Sequence, residues 1–266
     1  MRRGWCWVGA GLAVVTLSII IAVPLSLMRA TGDFKSTFIT KCERFPGKSA
    51  RHDCLGIWQA FEQAYVGKDP CQVPVESYDH LLTTSPFEPA CNRTMFWSKT
   101  KDLVHEFTMH RDCFLTAEDT LLGFILDELT WCGKEGSKET FTADCPGWTT
   151  CVHNPVRSFW KRVSAAFADV ACGDVTSMLN GSITTPFSST SIFATIEVKR
   201  LKSPNVKSLN VVLTTNANAV TNCDNASLKD LQRELDRGIN YSCKEVNETK
   251  IKRCISDPSI PCRACW

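Results

Sequence analysis

Fifteen cysteines in 266 residues constrain this chain more than any other feature. A reduced cytosolic protein rarely carries so many thiols, so the oxidising side of a membrane is the expected home. Five glycosylation sequons agree, at Asn92, Asn180, Asn225, Asn240 and Asn247. Cys262-Arg-Ala-Cys265 has the spacing of a redox CxxC motif. In a cysteine-rich secreted chain, ordinary disulfides are the commoner use of such a pair.

Residues 4–28 carry no charge and follow Arg2 and Arg3. At about 1.5 Å per residue such a run spans a bilayer, and the arginines favour a cytoplasmic amino terminus. The expectation is a type II signal-anchor, with residues 1–3 as a cytosolic tail and 29–41 as a polar stalk. A cleaved signal peptide is the competing reading, but the run is longer than a usual h-region and no small-x-small site follows it. The carboxyl terminus has no hydrophobic tail for a lipid anchor of the GPI kind. The net charge of +2 gives no electrostatic footprint for nucleic acid. Hydrophobic residues, at 44%, suffice for a real core.

Helical spacing is expected over residues 53–65, 98–107 and 154–171, the last with Asn154 as cap and Pro155 at the first position. Thr116 followed by Asp119 resembles a capping box at the head of the run 117–132. After Cys172 the period changes. Strands are expected at 175–179, 191–201, 206–215 and 239–246, with a helix at 227–237. A chain helical first and α/β later suggests two lobes with a cleft between them.

His52, His80, His105, His110 and His153 lack metal-ligand spacing, and there is no glycine-rich phosphate loop. What remains is acidic and aromatic. Residues 117–132 hold four carboxylates and end on Trp131-Cys132. Taken alone, Glu118 reads as a first-turn acid that complements the helix dipole. Glu197 lies between Ile196 and Val198, on a solvated strand face or at the carboxyl edge of a sheet, where α/β proteins place ligands. Trp97 and Trp160 each follow a phenylalanine and suit core packing, or a flat cationic ligand stacked between indoles beside an acid.

Several segments, taken in order, resemble the ADP-ribosyl cyclase/cyclic ADP-ribose hydrolase family. They are Phe96-Trp97-Ser98, Lys101-Asp102-Leu103, residues 118–123, residues 129–133, Asn154-Pro155-Val156, Phe159-Trp160-Lys161, Val163-Ser164, residues 178–182 and Ile196-Glu197-Val198. The similarity runs from about Cys42 to Cys262 and is strongest to the family's vertebrate type II membrane ectoenzymes, which degrade NAD. It implies an α/β fold of two lobes: a helical lobe from 42–90 and 114–171, and a lobe from 91–113 and 172–266 with a small parallel sheet. It implies an extracellular NAD glycohydrolase and cyclase that also hydrolyses cyclic ADP-ribose, with a part in calcium signalling. NAD is then a substrate, and no cofactor or metal is expected. A predominantly cyclase activity, or a receptor or adhesion ectodomain with weak catalysis, is the alternative; a homodimer is compatible with either.

By that resemblance Glu197 matches the catalytic glutamate, and Trp97 and Trp160 match the indoles framing the nicotinamide end. Glu118 and Asp127 match acids that hold the carboxamide, Glu118 also biasing cyclisation against hydrolysis. Ser98, Lys99, Ser164 and Phe193 match residues along the ribose and phosphates. The implied disulfides are Cys42–Cys54, Cys71–Cys151, Cys91–Cys172, Cys132–Cys145, Cys223–Cys243 and Cys254–Cys262. Cys6, Cys113 and Cys265 remain. Cys6 suits palmitoylation or the apolar run; Cys113 and Cys265 suit a seventh bridge, or thiols that are free or link two chains.

Three positions depart from the family. Lys99 stands where membrane members carry arginine, Ile192 replaces a hydroxyl residue and Ala194 replaces a glycine. The first loses a bidentate grip on phosphate and the second a hydrogen bond. Glu118 and Asp127, nine residues apart, point to opposite sides of one ideal helix. They meet a common ligand only if the helix breaks between them, for which Gly123 is the expected place.

Overall fold

The structure, a computed structural model, describes residues 25–46 and 52–266, with side chains from Phe34 onward. Cys6 and residues 4–24 of the expected membrane segment lie outside the described residues. Among the described residues no helix is long and apolar enough to cross a membrane.

The first helix, α1 (Leu25–Glu43), corrects the expected stalk. Phe34, Phe38 and Cys42 recur every fourth residue and are buried, whereas the residues between them, Ile39 apart, are polar. Phe38 packs edge-on to Trp58 at 5.1 Å and against Phe61 at 5.2 Å, both on α2 (Cys54–Tyr65). Asp53 caps α2 by accepting from the Gly56 amide at 2.9 Å. A short α3 (Asp79–Thr84) follows. Trp131 joins these rings and donates its indole N–H to Tyr78 at 3.0 Å, which satisfies its one polar atom in a dry core.

The sheet is wholly parallel, in the order β1 (Met95–Ser98), β2 (Gly173–Asn180), β3 (Val206–Thr215) and β4 (Asn240–Asn247). Between β1 and β2 run α4 (Lys101–His110), α5 (Leu121–Leu126) and α6 (Pro155–Asp169). After β2 come α7 (Val198–Arg200), α8 (Ala226–Glu234) between β3 and β4, and α9 (Glu248–Ser256) after β4. The period of two sorts the faces. Val175, Leu179, Val211 and Leu213 join the core shared with α1, α2, α5 and α6. Met178, Val212 and Val246 face the other way, under α4 and α9.

Two sequence expectations change here. Residues 98–107 are not one helix: Ser98 ends β1 and the helix starts at Lys101. Residues 191–201, expected as a strand, form a π-helical turn (Phe193–Glu197) continued by α7. The alternation of β-branched residues there is real, but burial of Phe193, Ala194, Glu197 and Val198 follows a helical turn. Tertiary packing outweighs the local β propensity.

Seven disulfides staple the fold. Five are pairs implied by the resemblance: Cys42–Cys54, Cys71–Cys151, Cys91–Cys172, Cys132–Cys145 and Cys223–Cys243. The expected Cys254–Cys262 and Cys113–Cys265 are exchanged for Cys113–Cys262 and Cys254–Cys265. The buried Arg111 accounts for the exchange. Among the described residues no carboxylate pairs with it, and it donates instead to the carbonyls of Cys254, Asp257 and Ile260. Those carbonyls satisfy the buried guanidinium by curling the tail around it. Cys262 is thereby brought beside Cys113, with alpha carbons 6.4 Å apart, and Cys265 turns inward onto α9, 5.7 Å from Cys254. Cys113 and Cys265 are therefore neither free nor links between chains.

Candidate active site

A cleft of about 710 Å³ opens beyond the carboxyl end of β1, as expected for an open parallel sheet. Trp97, Ser98, Lys99, Glu118, Asp127, Trp160, Ser164, Phe193 and Glu197, nominated from sequence, all line it. Five segments bring them there: the end of β1, a 3₁₀ turn at Ala117–Asp119, the end of α5, α6 and the π-helical turn. Lys99 turns the chain out of β1 with a φ of 60°, and its carbonyl accepts from the Asn180 side-chain amide at 3.1 Å. Thr100 ties the same turn to β2 by donating to the Met178 carbonyl at 2.9 Å. On α6, Trp160 and Ser164 are one helical turn apart and share a face. Asn154 fixes the start of α6 by accepting from the Arg157 amide at 2.9 Å.

Glu118 sits on a separate 3₁₀ turn, Ala117–Asp119, closed by the capping box that Thr116 and Asp119 form. Asp119 is thus engaged within the turn, and Glu118 is free to face the cleft. The chain is extended at Thr120, which then caps α5. α5 packs so closely on the turn that a methyl group at Gly123 would overlap the Ala117 carbonyl oxygen. Asp127 lies just past the end of α5 and Glu128 follows at a φ of 64°. The break that Glu118 and Asp127 require is therefore at Thr120, with Gly123 allowing the two pieces to close up.

The two acids are also gathered electrostatically. Glu118 accepts from the Trp97 indole at 3.2 Å, and Lys101 Nζ contacts Asp127 at 3.0 Å. His105 lies between them, with Nε2 3.7 Å from Glu118 and Nδ1 3.8 Å from Asp127. Burial alone would raise the Glu118 pKa, but His105 and the Trp97 N–H outweigh it and hold the carboxyl below its usual value.

Glu197 meets the opposite conditions. Burial pushes its pKa up to about 8; the Ser164 hydroxyl works against that, and the charge of Glu118 adds to it. No cation pairs with Glu197 among the described residues. It is an acid kept in the dark end of a cleft, awaiting a positive charge.

Sequence reasoning missed other contributors. Lys101, Trp148, Arg157, Lys161 and the hydroxyl-rich rim Ser188–Ser191 also line the cleft. From sequence alone His105 presents itself only as a metal-ligand candidate without ligand spacing. The signal that finds it is its i, i+4 spacing from Lys101 on one helix face. No cluster of three or more metal-ligating groups occurs among the described residues.

The profile of the ADP-ribosyl cyclase family matches residues 31–263. ADP-ribosyl cyclase/cyclic ADP-ribose hydrolase 1 of Mus musculus is 33% identical, over 98% of this chain and 93% of its own length. ADP-ribosyl cyclase/cyclic ADP-ribose hydrolase 2 of Homo sapiens is 28% identical, over 85% and 74%. Porcine CD38 bound to a covalent intermediate, ribo-F-ribose-5'-phosphate, superposes with a TM-score of 0.77 at 36% identity, covering 82% of this chain and 97% of that one. An ADP-ribosyl cyclase complexed with N1-cIDPR gives 0.77 at 26% identity, covering 89% and 98%.

Proposed function

This chain belongs to the ADP-ribosyl cyclase family, and we propose that its cleft cleaves the nicotinamide–ribose bond of NAD, giving ADP-ribose and cyclic ADP-ribose, and hydrolyses the cyclic product. The convergence of nine residues, scattered over positions 97–197, on one cleft carries this reading. The nicotinamide ring of NAD is flat and cationic, a match for the indoles of Trp97 and Trp160 in the cleft wall. Glu118 and Asp127 hold its carboxamide. Ser98, Lys99, Ser164 and Phe193 line the ribose and pyrophosphate.

The bond breaks with its electron pair leaving on nicotinamide, which departs neutral. The ribose carbon left behind is oxocarbenium-like. Glu197 stabilises that centre as a carboxylate, or bonds to it transiently. In the empty cleft burial favours the neutral acid, so the pyridinium charge of the substrate supplies the field that ionises it. Attack by water gives ADP-ribose and releases a proton. Attack by a ring nitrogen of adenine gives cyclic ADP-ribose, and water reopens that ring by the same path. The partition depends on which nucleophile is held at the centre. The test is incubation of membranes carrying the full chain with NAD and chromatographic separation of the products. Nicotinamide should appear together with both ADP-ribosyl products; no release of nicotinamide would exclude the reading.

Residues 4–28 are proposed to anchor the chain as a type II membrane protein with the cleft outside the cell. Arg2 and Arg3, the sequons and the bridges support this. The sequons divide. Asn92, Asn240 and Asn247 are exposed, whereas the amide nitrogens of Asn180 and Asn225 donate to Lys99 and Thr184. Glycans on the first three are expected, and site-resolved glycopeptide mapping checks it.

A further inference from the structure

His105 does not reach the surface of the cleft. Its Nε2 is buried and has no hydrogen-bond partner, yet a Glu118 oxygen lies 3.7 Å away. On its other side Nδ1 lies 3.8 Å from Asp127, and the ring stands edge-on to Trp97 at 5.8 Å. A neutral imidazole would turn one lone pair toward a carboxylate. A doubly protonated ring presents an N–H to each acid, so this geometry suits the imidazolium.

We infer that His105, as an imidazolium, is the positioning residue that keeps Glu118 and Asp127 converged beside Trp97, and so governs how the ribosyl intermediate divides between water and adenine. The inference rests on the NAD-cleaving reading of the cleft. The groups facing His105 are few. Lys101, one turn earlier on α4, pairs with Asp127 and opposes protonation of the ring. Glu118 and Asp127 favour it. Asp119 is engaged by Thr108 and Thr116, and Lys41 reaches only the backbone carbonyl of Asp127. Glu197 acts from the far wall, through Glu118. On its other side α4 meets apolar residues of α9, Ile251 and Ile255. Burial lowers the His105 pKa, but the Glu118 and Asp127 charges reverse that and raise it above 6.5. The ring therefore holds its proton to a higher pH than a free imidazole does, and loses it as pH rises through the raised value.

The experiment uses the full chain in membranes, with His105→Gln, Glu118→Ala and the double variant. Both products arise after nicotinamide has left, so their ratio is independent of steps that only limit turnover. The wild type should give a rising cyclic fraction as pH rises and the ring loses its proton. His105→Gln should give a raised, pH-independent cyclic fraction and a KM for NAD higher by about three- to tenfold, up to the factor of one pKa unit. In the Glu118→Ala background it should change the fraction no further. His105→Lys should restore a low fraction. If His105→Gln fails to fold, NMR titration of histidine-labelled protein replaces it, and Glu118→Ala should lower the pKa of His105. An unchanged pKa, a wild-type ratio and pH profile in His105→Gln, or equal effects in both Glu118 backgrounds would each overturn the inference. A wild type that releases no nicotinamide would remove the reading of the cleft, and this inference with it.

Discussion

The two acidic walls of the cleft face the same space in opposite electrical states. Glu118 stands on a 3₁₀ turn among donors, with Trp97 and His105 beside it and Lys101 one acid further on. Glu197 stands at the end of a π-helical turn, 7% exposed, with Ser164 as its single polar relief. Both are glutamates, Glu197 buried and Glu118 mostly so, with 12% of its side chain exposed. The partners that each backbone turn delivers, more than burial, decide their charge. Environments that push two carboxyls apart in pKa divide their tasks, one as a fixed anion and the other as an acid whose charge appears on demand.

Breaking the Glu197 wall should have the largest effect. Glu197→Gln keeps the volume and removes the charge, so turnover should fall by about 10²- to 10⁴-fold. Steady-state cleavage of NAD checks it, and turnover near the wild type would detach Glu197 from the chemistry. Breaking the Glu118 wall is milder. Glu118→Ala should raise cyclic ADP-ribose relative to ADP-ribose several-fold while NAD cleavage continues; a constant or lower ratio counts against its role in partition.

The contrast sharpens without substrate. Between pH 4.5 and about 8 the folded state keeps a proton on Glu197 that the unfolded chain gives up. Folding therefore loses stability as pH rises through that window. Glu118, with a lowered value, contributes stability that is present above pH 4.5 and lost as pH falls through its folded value. Glu197→Gln should accordingly raise Tm more at pH 9 than at pH 5, whereas Glu118→Gln should lower Tm more at pH 7 than at pH 3. Thermal scans with equal pH slopes for both variants would contradict the difference. The smallest effect belongs to the rim. Lys99→Arg should lower the KM for NAD by about two- to fivefold with less change in kcat, because a guanidinium grips two phosphate oxygens. A higher KM would show that the turn at Lys99 is fitted to lysine.

Much of this architecture is legible in the chain. Thr116 with Asp119, and Asn154 with Pro155, announce their turns through local hydrogen bonding that tertiary structure leaves intact. β2, β3 and β4 lie close to the strands expected at 175–179, 206–215 and 239–246. Local rules fail where long-range packing decides. Phe34 and Phe38 are two rings in a polar run, and their burial depends on Trp58 and Trp131, far along the chain. The π-helical turn at Glu197 carries strand-forming residues because its inner side lies against α6 and β1. Cysteine partners at the tail depend on Arg111, whose hydrogen bonds no spacing reveals. His105 is invisible until α4, the Glu118 turn and the end of α5 are in place.

The burial of α1 carries a practical corollary for anyone trimming this enzyme from its amino-terminal side. A protease or an engineered cut at residue 41, where the polar run ends, would leave Cys42–Cys54 formed and every cleft residue present. It would also strip two phenyl rings from Trp58, Phe61 and Trp131, and remove the Lys41 ammonium that steadies the Asp127 carbonyl at 3.2 Å. The released fragment would keep its catalytic groups and lose the floor beneath them. Any engineered cut must be placed ahead of Phe34.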